Sequence, residues 1–518
     1  MAEVAGSNPA GPTSFYFLNY DRIVHFALVR DLISMDFAAA IGTVNTYVWY
    51  VAFVFLVGLG IYFMIRLKGL PIFRIHKTSK LALSGTKEGK HSHTVSSFEA
   101  FCIGLGARVG VGNIAGVASA IVVGGPGAVF WMWIFAIIGS ASSFMESTLS
   151  QMFKEKKSDG QYHSGPAYYA LKGVGSRPLA VLLAVLIIIT FGIGFVGVQA
   201  TNSATALDSA FSQYLGLENG TIIFGAIIAL AAAIIIFGGL KRIAVFSTKL
   251  VPIMALAWFV FCIIIVCCNI DGVVHAVEMI FENAFGIQSI GGGALGTVMM
   301  MGLKRGVFSN EAGLGSIANI AGTADVKHPV KQGMIQSFGT IVDTLIVCSF
   351  TAFVILSSGT YDQIINVFNE GVTDVGNATL VQNIAEATFL GEAGPIIISI
   401  FLLLFAFTSL IGYYTMSESN IRFIKDSKGF VFAVRVLVIA VAFLSCVIST
   451  GQMETICDTF MAAMGAVNMI VVFYLSKFVF RAYKDWREQE DAGVEDPVFH
   501  RDVVKDLCND KTNITEWE

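Results

Sequence analysis

The sequence is poor in charged residues. Only 14% of its 518 residues are charged, whereas 55% are hydrophobic. Soluble domains carry nearer a quarter of charged residues, so this composition excludes an ordinary soluble protein. Apolar runs of about 20 residues recur along the chain and predict an all-α polytopic membrane protein. A membrane β-barrel would instead show short segments of alternating hydrophobicity.

Several chemical motifs are also missing. The eight cysteines lie mostly in apolar runs and lack zinc-like spacing, which argues against a disulfide framework or a metal site. No HExxH, GxSxG or GxxxxGK[ST] pattern occurs, so a membrane enzyme and ATP-driven transport are disfavoured. No cleavable signal peptide is evident. We expect neither a nucleotide nor a nucleic acid as a partner. A secondary transporter, a channel and a membrane-bound sensor remain.

Lysine and arginine are absent from every second connection between the predicted spans. Basic connections stay in the cytoplasm, so we expect a cell (inner) membrane protein with its N-terminus outside and its C-terminus inside. The connection after span 6 is assigned Lys304, Arg305, Lys327 and Lys331. The eleven predicted spans, numbered 0 to 10, are residues 43–66, 96–123, 127–153, 178–205, 219–239, 243–269, 275–303, 331–357, 394–422, 429–449 and 454–479.

Two glycine clusters interrupt spans 1 and 6. Span 1 contains residues 106–113 (GARVGVGN), and a capping-box spacing of Ser96 and Glu99 predicts its start. Arg108 then lies about 18 Å along the helix, near the middle of the bilayer. Span 6 contains Phe285-Gly286, the glycines at 291–293 and Gly296. Close packing through small residues is the alternative explanation.

The paired interruptions suggest an internal repeat. Because five is an odd number, two halves of five spans have opposite orientations, and matching interruptions point to the binding site. The predicted organisation is an external segment at 1–42, an extra span with a basic linker at 43–95, repeat 1 at 96–270, repeat 2 at 271–480 and a polar cytoplasmic tail at 481–518.

Several long motifs resemble the alanine/glycine:cation symporter family of the amino acid–polyamine–cation superfamily. They are residues 108–118 (RVGVGNIAGVA), 124–133 (GGPGAVFWMW), 304–316 (KRGVFSNEAGLGS), 343–344 (DT) and 405–409 (FAFTS). The resemblance covers about residues 45–480. It implies a leucine-transporter-type 5+5 inverted repeat with one extra N-terminal helix. It also implies sodium-coupled uptake of small neutral amino acids by alternating access.

The chain departs from that family at three positions. Relatives often carry Thr or Ser at Val111, Gly at Ser164 and Trp at Tyr413. The change at Tyr413 is expected to alter the wall of the substrate pocket, and with it the preference among alanine, glycine, serine and larger substrates. A proton-coupled symporter, and an amino-acid sensor or channel on the same scaffold, remain the alternatives.

A zwitterionic amino acid needs donors for its carboxylate and acceptors for its ammonium group. Free N–H groups at the start of the second half of span 1 are predicted to hold the carboxylate, with carbonyls of the span 6 interruption near the ammonium. Gln199 is a further candidate, with a helix–helix hydrogen bond as its alternative. The predicted substrate residues are Val111, Gly112, Asn113, Gln199, Asn202, Phe285, Gly286 and Tyr413.

Sodium prefers five or six hard oxygen ligands. The adjacent hydroxyls of Thr408 and Ser409 would, alone, most often bond back to their own helix. The family resemblance implies a Na+ site made by these hydroxyls and the carbonyls of Gly106, Val109 and Phe405.

Charged residues within a membrane span are functional candidates. Arg108 could gate the cytoplasmic side by pairing with Glu146 or Asp343, or could form a fixed structural pair. Asp343 could carry a proton, although neutralising Arg108 is the favoured role. Glu311 is expected to close a loop after span 6 through hydrogen bonds.

Overall fold

The computed structural model describes residues 42–84, 94–285, 292–359, 361, 377–448, 450–509 and 512–517. Helices dominate these residues, and one short antiparallel pair joins β1 (Glu155–Lys156) to β2 (Tyr162–His163). Eight helical stretches among them are long and apolar enough to cross a membrane. Two shorter apolar helices accompany these eight. The multi-pass helical class is confirmed, whereas the number of eleven spans stays a prediction.

Among the described residues, the first half of the chain forms the helices α1 to α11. Its helices are α1 (Gly42–Arg66), α2 (Leu70–Phe73), α3 (Ile75–Ser84), α4 (Ser97–Arg108), α5 (Ala115–Gly124), α6 (Gly127–Met152), α7 (Pro166–Tyr169), α8 (Arg177–Ile189), α9 (Val196–Leu215), α10 (Gly220–Ile236) and α11 (Gly239–Cys268). A π-helical turn, Thr190–Phe195, joins α8 to α9.

The second half follows the same plan with an additional helix at its start. Its helices are α12 (Ile270–Ala284), α13 (Gly292–Asn310), α14 (Ser316–Ala321), α15 (Pro329–Ile341), α16 (Ser349–Ser357), α17 (Asn377–Ala385), α18 (Ala393–Ile424), α19 (Lys428–Leu444) and α20 (Thr450–Asp491). A π-helical segment, Val342–Cys348, joins α15 to α16.

The interruption of span 1 lies where the sequence predicts it. Ser96 and Glu99 form the capping box: the Glu99 N–H donates to Ser96 Oγ at 3.2 Å, and the Ser96 N–H donates to Glu99 Oε2 at 2.8 Å. The helix α4 ends at Arg108, a single 3-10 turn covers Val111–Asn113, and α5 begins at Ala115. Two half-helices therefore meet inside the bundle.

The described part of span 6 breaks at 311–315, a place that the sequence does not predict, whereas residues 286–291 of the predicted interruption at Phe285–Gly296 lie outside the described residues. The glycines of that stretch that the structure describes begin α13, whereas the helix breaks after Asn310 and resumes at Ser316. Three residues of this break have positive φ: Glu311 (57°), Gly313 (83°) and Gly315 (76°). Left-handed backbone ends a helix, whereas glycines in an ordinary helical conformation do not.

The structure places three of the four basic residues assigned to the connection after span 6 inside helices. Lys304 and Arg305 lie inside α13, ahead of the break, and Lys331 lies in the first turn of α15, so of the four only Lys327 remains in that connection. Arg305 approaches two carboxylates near the start of α20, Glu454 at 3.4 Å and Asp458 at 3.8 Å. The orientation inferred from the basic connections stays a prediction.

The two broken helices pack against each other in reverse order. The first half of span 1, α4, packs against the second half of span 6, α14. In turn α5 packs against α13. This crossed pairing is the arrangement expected of an inverted repeat, and it brings both breaks to the centre of the bundle.

The C-terminal tail folds back on the bundle. Phe499, Val504 and Ile514 are buried, and the Trp517 indole N–H donates to the Gln151 carbonyl at 3.0 Å. Burial lowers the pKa of the Lys154 ammonium, which lies 4.9 Å from the Trp517 ring, to about 8. The tail thus covers the end of α6 rather than forming a separate domain.

Candidate functional site

The break in span 1 is held by side chains from other helices. The Gly110 N–H donates to Asn113 Oδ1 at 2.8 Å, and the Val111 N–H donates to Gln199 Oε1 at 2.9 Å. Gln199 therefore reaches the break itself rather than making a hydrogen bond between two regular helices. The Val111 N–H, one of the backbone groups predicted to bind the substrate's carboxylate, thus donates to the side-chain oxygen of Gln199 in this structure.

Two glycines of this break allow very close approach by neighbouring elements. A Cβ atom on Gly110 would lie 2.5 Å from Ser409 Oγ, and one on Gly112 would lie 2.9 Å from the Phe308 ring. Neither position has room for a side chain. The break is thereby surrounded by α9, α13 and α18, which carry Gln199, Phe308 and Ser409.

Oxygen atoms converge at the C-terminal end of α4. The Ser409 hydroxyl donates to the Gly106 carbonyl at 3.0 Å and lies 3.4 Å from the Val109 carbonyl. The Thr408 hydroxyl lies 3.0 Å from the Phe405 carbonyl of its own helix. A Cβ atom on Gly106 would lie 3.4 Å from Thr408 Cβ, so the two residues are adjacent.

This oxygen set has the chemistry that a sodium ion needs. All five residues that the sequence singles out lie together, and three of their five oxygens are backbone carbonyls, which hard cations prefer. The carbonyls of Gly106 and Val109 belong to the negative end of the α4 dipole, which adds to the attraction for a cation. The residues present therefore fit a sodium ion.

Arg108 is buried and bonded to neutral oxygens. Its Nε donates to the Asn310 carbonyl, and its terminal nitrogens donate to the Gln336 carbonyl and to Ser143 Oγ, each at 2.9 Å. Among the described residues no carboxylate lies within 4.0 Å of this guanidinium, so the expected pairs with Glu146 and Asp343 are not formed. Through its hydrogen bond to Asn310, Arg108 instead connects the C-terminal end of α4 to the C-terminal end of α13.

Glu146 supports the second break. Its Oε2 accepts from the Gly315 N–H at 2.8 Å and from Asn468 Nδ2 at 3.2 Å. Asn468 also donates to the Gly313 carbonyl at 2.8 Å. The carboxylate thus stabilises the left-handed backbone at the start of α14.

Asp343 connects the two breaks. Its Oδ1 accepts from Asn113 Nδ2 at 2.7 Å, and its Oδ2 accepts from Ser309 Oγ at 2.7 Å and Thr344 Oγ1 at 3.0 Å. Asn113 belongs to the break of span 1 and Ser309 to the end of α13. Both oxygens of Asp343 are satisfied by neutral donors, as a fixed crosslink requires.

An aromatic cluster lies beside the breaks and was missed from the sequence. The Tyr413 ring centroid is 5.1 Å from that of Phe195 and 5.3 Å from that of Phe191, and Phe195 stacks on Phe308 at 4.7 Å. Phe308 was visible in the motif at 304–316, but no role was assigned to it. Only the fold shows that Phe195 and Phe308 meet.

Glu311 has a more unusual position than the sequence suggests. It is fully buried in the second break, and neither carboxylate oxygen has a hydrogen-bond partner among the described residues. The hydroxyls of Ser316 and Tyr413 and the charge of Arg108 are close enough to influence it. The predicted loop-closing hydrogen bonds are therefore not made by this side chain.

Two of the predicted substrate residues do not join the others. Phe285 is 52% exposed and packs against Phe130 at 5.3 Å, so the structure does not bring it together with the residues of the two breaks, and its contact with the ammonium group stays a prediction. Asn202 donates to the Val198 carbonyl of its own helix at 3.0 Å. Gly286 lies outside the described residues.

Known proteins resemble this chain over most of its length. The chain matches the sodium:alanine symporter family over residues 35–501. It is 41% identical over 466 residues to a probable sodium/glutamine symporter, GlnT, of Bacillus subtilis, covering 90% of this chain and 94% of that protein. It is 34% identical to the sodium/alanine symporter AgcS of Methanococcus maripaludis, covering 88% of this chain and 98% of that protein.

A solved structure shares the fold. The crystal structure of MhsT in complex with L-phenylalanine aligns with a TM-score of 0.54 at 14% identity, covering 72% of this chain and 87% of that one. It confirms the leucine-transporter-type arrangement of the helices. This chain therefore belongs to the sodium:alanine symporter family and is a membrane transporter, not an enzyme.

Proposed function

We propose that this protein couples inward sodium movement to the uptake of a small neutral amino acid, alanine or glycine, by alternating access. Membership of the family supports amino acid and sodium symport in general. The observation that carries the sodium assignment is the meeting of the Ser409 hydroxyl with the carbonyls of Gly106 and Val109, at 3.0 and 3.4 Å. The proposed orientation, with the C-terminus inside, rests on the basic connections.

The buried charges around the breaks also support cation coupling. Arg108, Glu146, Glu311 and Asp343 are each at most 1% exposed. With all four ionised, one positive and three negative charges leave two negative charges uncompensated inside the membrane, where unpaired charge is costly. A bound sodium ion would supply one of the two missing positive charges, and a zwitterionic amino acid would add no net charge. Protons on the carboxylates are the alternative, and correspond to a proton-coupled symporter.

The substrate is proposed to lie between the two breaks. Its carboxylate would meet the N-terminal end of α5, around Gly112 and Asn113, where backbone N–H groups and the helix dipole favour an anion. Its ammonium group would donate to the last carbonyls of α13, around Phe308, instead of to those near Phe285. The packed rings of Phe195, Phe308 and Tyr413 would limit the size of the substrate's side chain.

Glutamine is a second candidate substrate. Tyr413 stands where many relatives have the larger tryptophan, and a relative named for glutamine is 41% identical over 90% of this chain. A competition assay with alanine, glycine, serine and glutamine against labelled alanine would rank these substrates.

Purified protein in liposomes is expected to accumulate alanine or glycine only under an inward sodium gradient, because the oxygen cluster binds the co-transported ion. Uptake of labelled substrate with sodium, with potassium, and with a proton gradient alone provides the measurement. Equal accumulation with potassium, or with protons alone, contradicts the sodium assignment. Sodium-dependent uptake of glutamine but not of alanine contradicts only the choice of substrate.

A further inference from the structure

A strongly basic groove lies where α1 ends against the extension of α20. Its volume is about 390 Å³. Five of the residues lining it are cationic: Arg66, Lys68, Arg74, Lys484 and Arg487. No acidic residue is among the described residues that line it.

Part of this positive charge has no counter-ion. Arg74 pairs with Glu490 at 2.7 Å, and Arg487 lies 3.4 Å from Asp491. In the part of the chain that the structure describes, no carboxylate lies within 4.0 Å of Arg66 or Lys68. The Arg66 guanidinium lies 4.9 Å from the Phe480 ring centroid, an interaction that leaves its charge uncompensated. Two cations are therefore available to an anionic ligand.

The groove lies at the edge of the apolar part of the bundle. Arg66 is the last residue of the apolar helix α1, and the apolar segment of α20 ends at Tyr474, about 9 Å along the helix before Phe480. Ile65 and Phe73, on either side of this basic segment, are 70% and 82% exposed. Apolar side chains next to cations at this depth are typical of the boundary between acyl chains and headgroups.

We propose that this groove binds the phosphate group of an anionic phospholipid in the leaflet that faces the C-terminal tail. Arginine donors match the geometry of phosphate oxygens, and basic pockets at the ends of membrane helices select anionic headgroups. The exposed apolar side chains beside the groove would contact the acyl chains. Free inorganic phosphate offers the same charged group without the chains, so the test separates the two sources.

Delipidated full-length protein is expected to bind phosphatidylglycerol more tightly than phosphatidylcholine in a native mass spectrometry titration. The double variant Arg66→Gln/Lys68→Gln is expected to weaken phosphatidylglycerol binding about thirtyfold, since each basic residue near a headgroup contributes on the order of 1 kcal/mol. Its binding of phosphatidylcholine is expected to change little. Both side chains are exposed, so folding should be retained.

The matched control is Arg481→Gln/Lys505→Gln, which removes the same charge from exposed positions that do not line the groove. It is expected to bind phosphatidylglycerol as the unaltered protein does. Equal binding by the groove variant and the unaltered protein overturns the proposal. So does displacement of the lipid by low millimolar inorganic phosphate, because that result assigns the groove to the free anion.

Discussion

Ser409→Ala is expected to raise the sodium concentration for half-maximal uptake at least tenfold, while changing the apparent affinity for alanine much less at saturating sodium. The Ser409 hydroxyl contacts two carbonyls at the end of α4, so its removal takes away one of five or six ligands from a hard cation. Uptake into liposomes as a function of sodium concentration measures the change. Thr408→Ala is expected to act in the same direction, and Thr408→Ser to retain sodium affinity because it keeps the hydroxyl.

Ser417→Ala is the matched control for this prediction. Ser417 is buried on the same helix, and its hydroxyl bonds only to the Tyr413 carbonyl of that helix, at 3.0 Å. Loss of such a local hydrogen bond should leave the sodium dependence unchanged. If Ser409→Ala alters the ranking of amino acids but leaves the sodium requirement intact, the ion site is misplaced and Ser409 belongs to the substrate.

The difference between the two breaks shows what a sequence can reveal here. The break of span 1 was predictable because its capping box and its glycine-rich motif mark both ends of α4. The break of span 6 at 311–315 was not predictable, because a high frequency of glycine does not by itself interrupt a helix, as the glycines at the start of α13 show. Its true marker is positive φ at Glu311, Gly313 and Gly315. No sequence pattern indicates that a glutamate will adopt the left-handed conformation.

The partners of the buried charges could not be predicted for a related reason. From the sequence, opposite charge is the only guide to the partners of a buried ion, and it suggests ion pairs of Arg108 with Glu146 or Asp343. The structure instead satisfies Arg108 with backbone carbonyls of Asn310 and Gln336, and every residue has such a carbonyl. The proposed sodium ligands rest on the family resemblance, because composition and spacing alone do not single them out.

Arg108→Gln is expected to abolish uptake and to lower the thermal unfolding temperature strongly. The change leaves the carbonyls of Asn310 and Gln336 without a charged donor, and each hydrogen bond from a charged group contributes about 1.5–3 kcal/mol. It also leaves Glu146, Glu311 and Asp343 with no positive charge among them. A thermal-shift assay and uptake into liposomes give the two measurements, and Arg242→Gln, at an exposed position, is the control.

The double variant Arg108→Gln/Glu311→Gln separates the charge of Arg108 from its hydrogen bonds. Glu311 directly follows Asn310, whose carbonyl accepts from Arg108, and neither of its carboxylate oxygens has a hydrogen-bond partner among the described residues. If charge balance dominates, the second substitution should recover part of the lost thermal stability. If the thermal stability does not recover, the contribution of Arg108 lies in the hydrogen bonds that connect α4 to α13. Full stability of Arg108→Gln alone contradicts both explanations, because it shows that neither the charge nor the hydrogen bonds are needed.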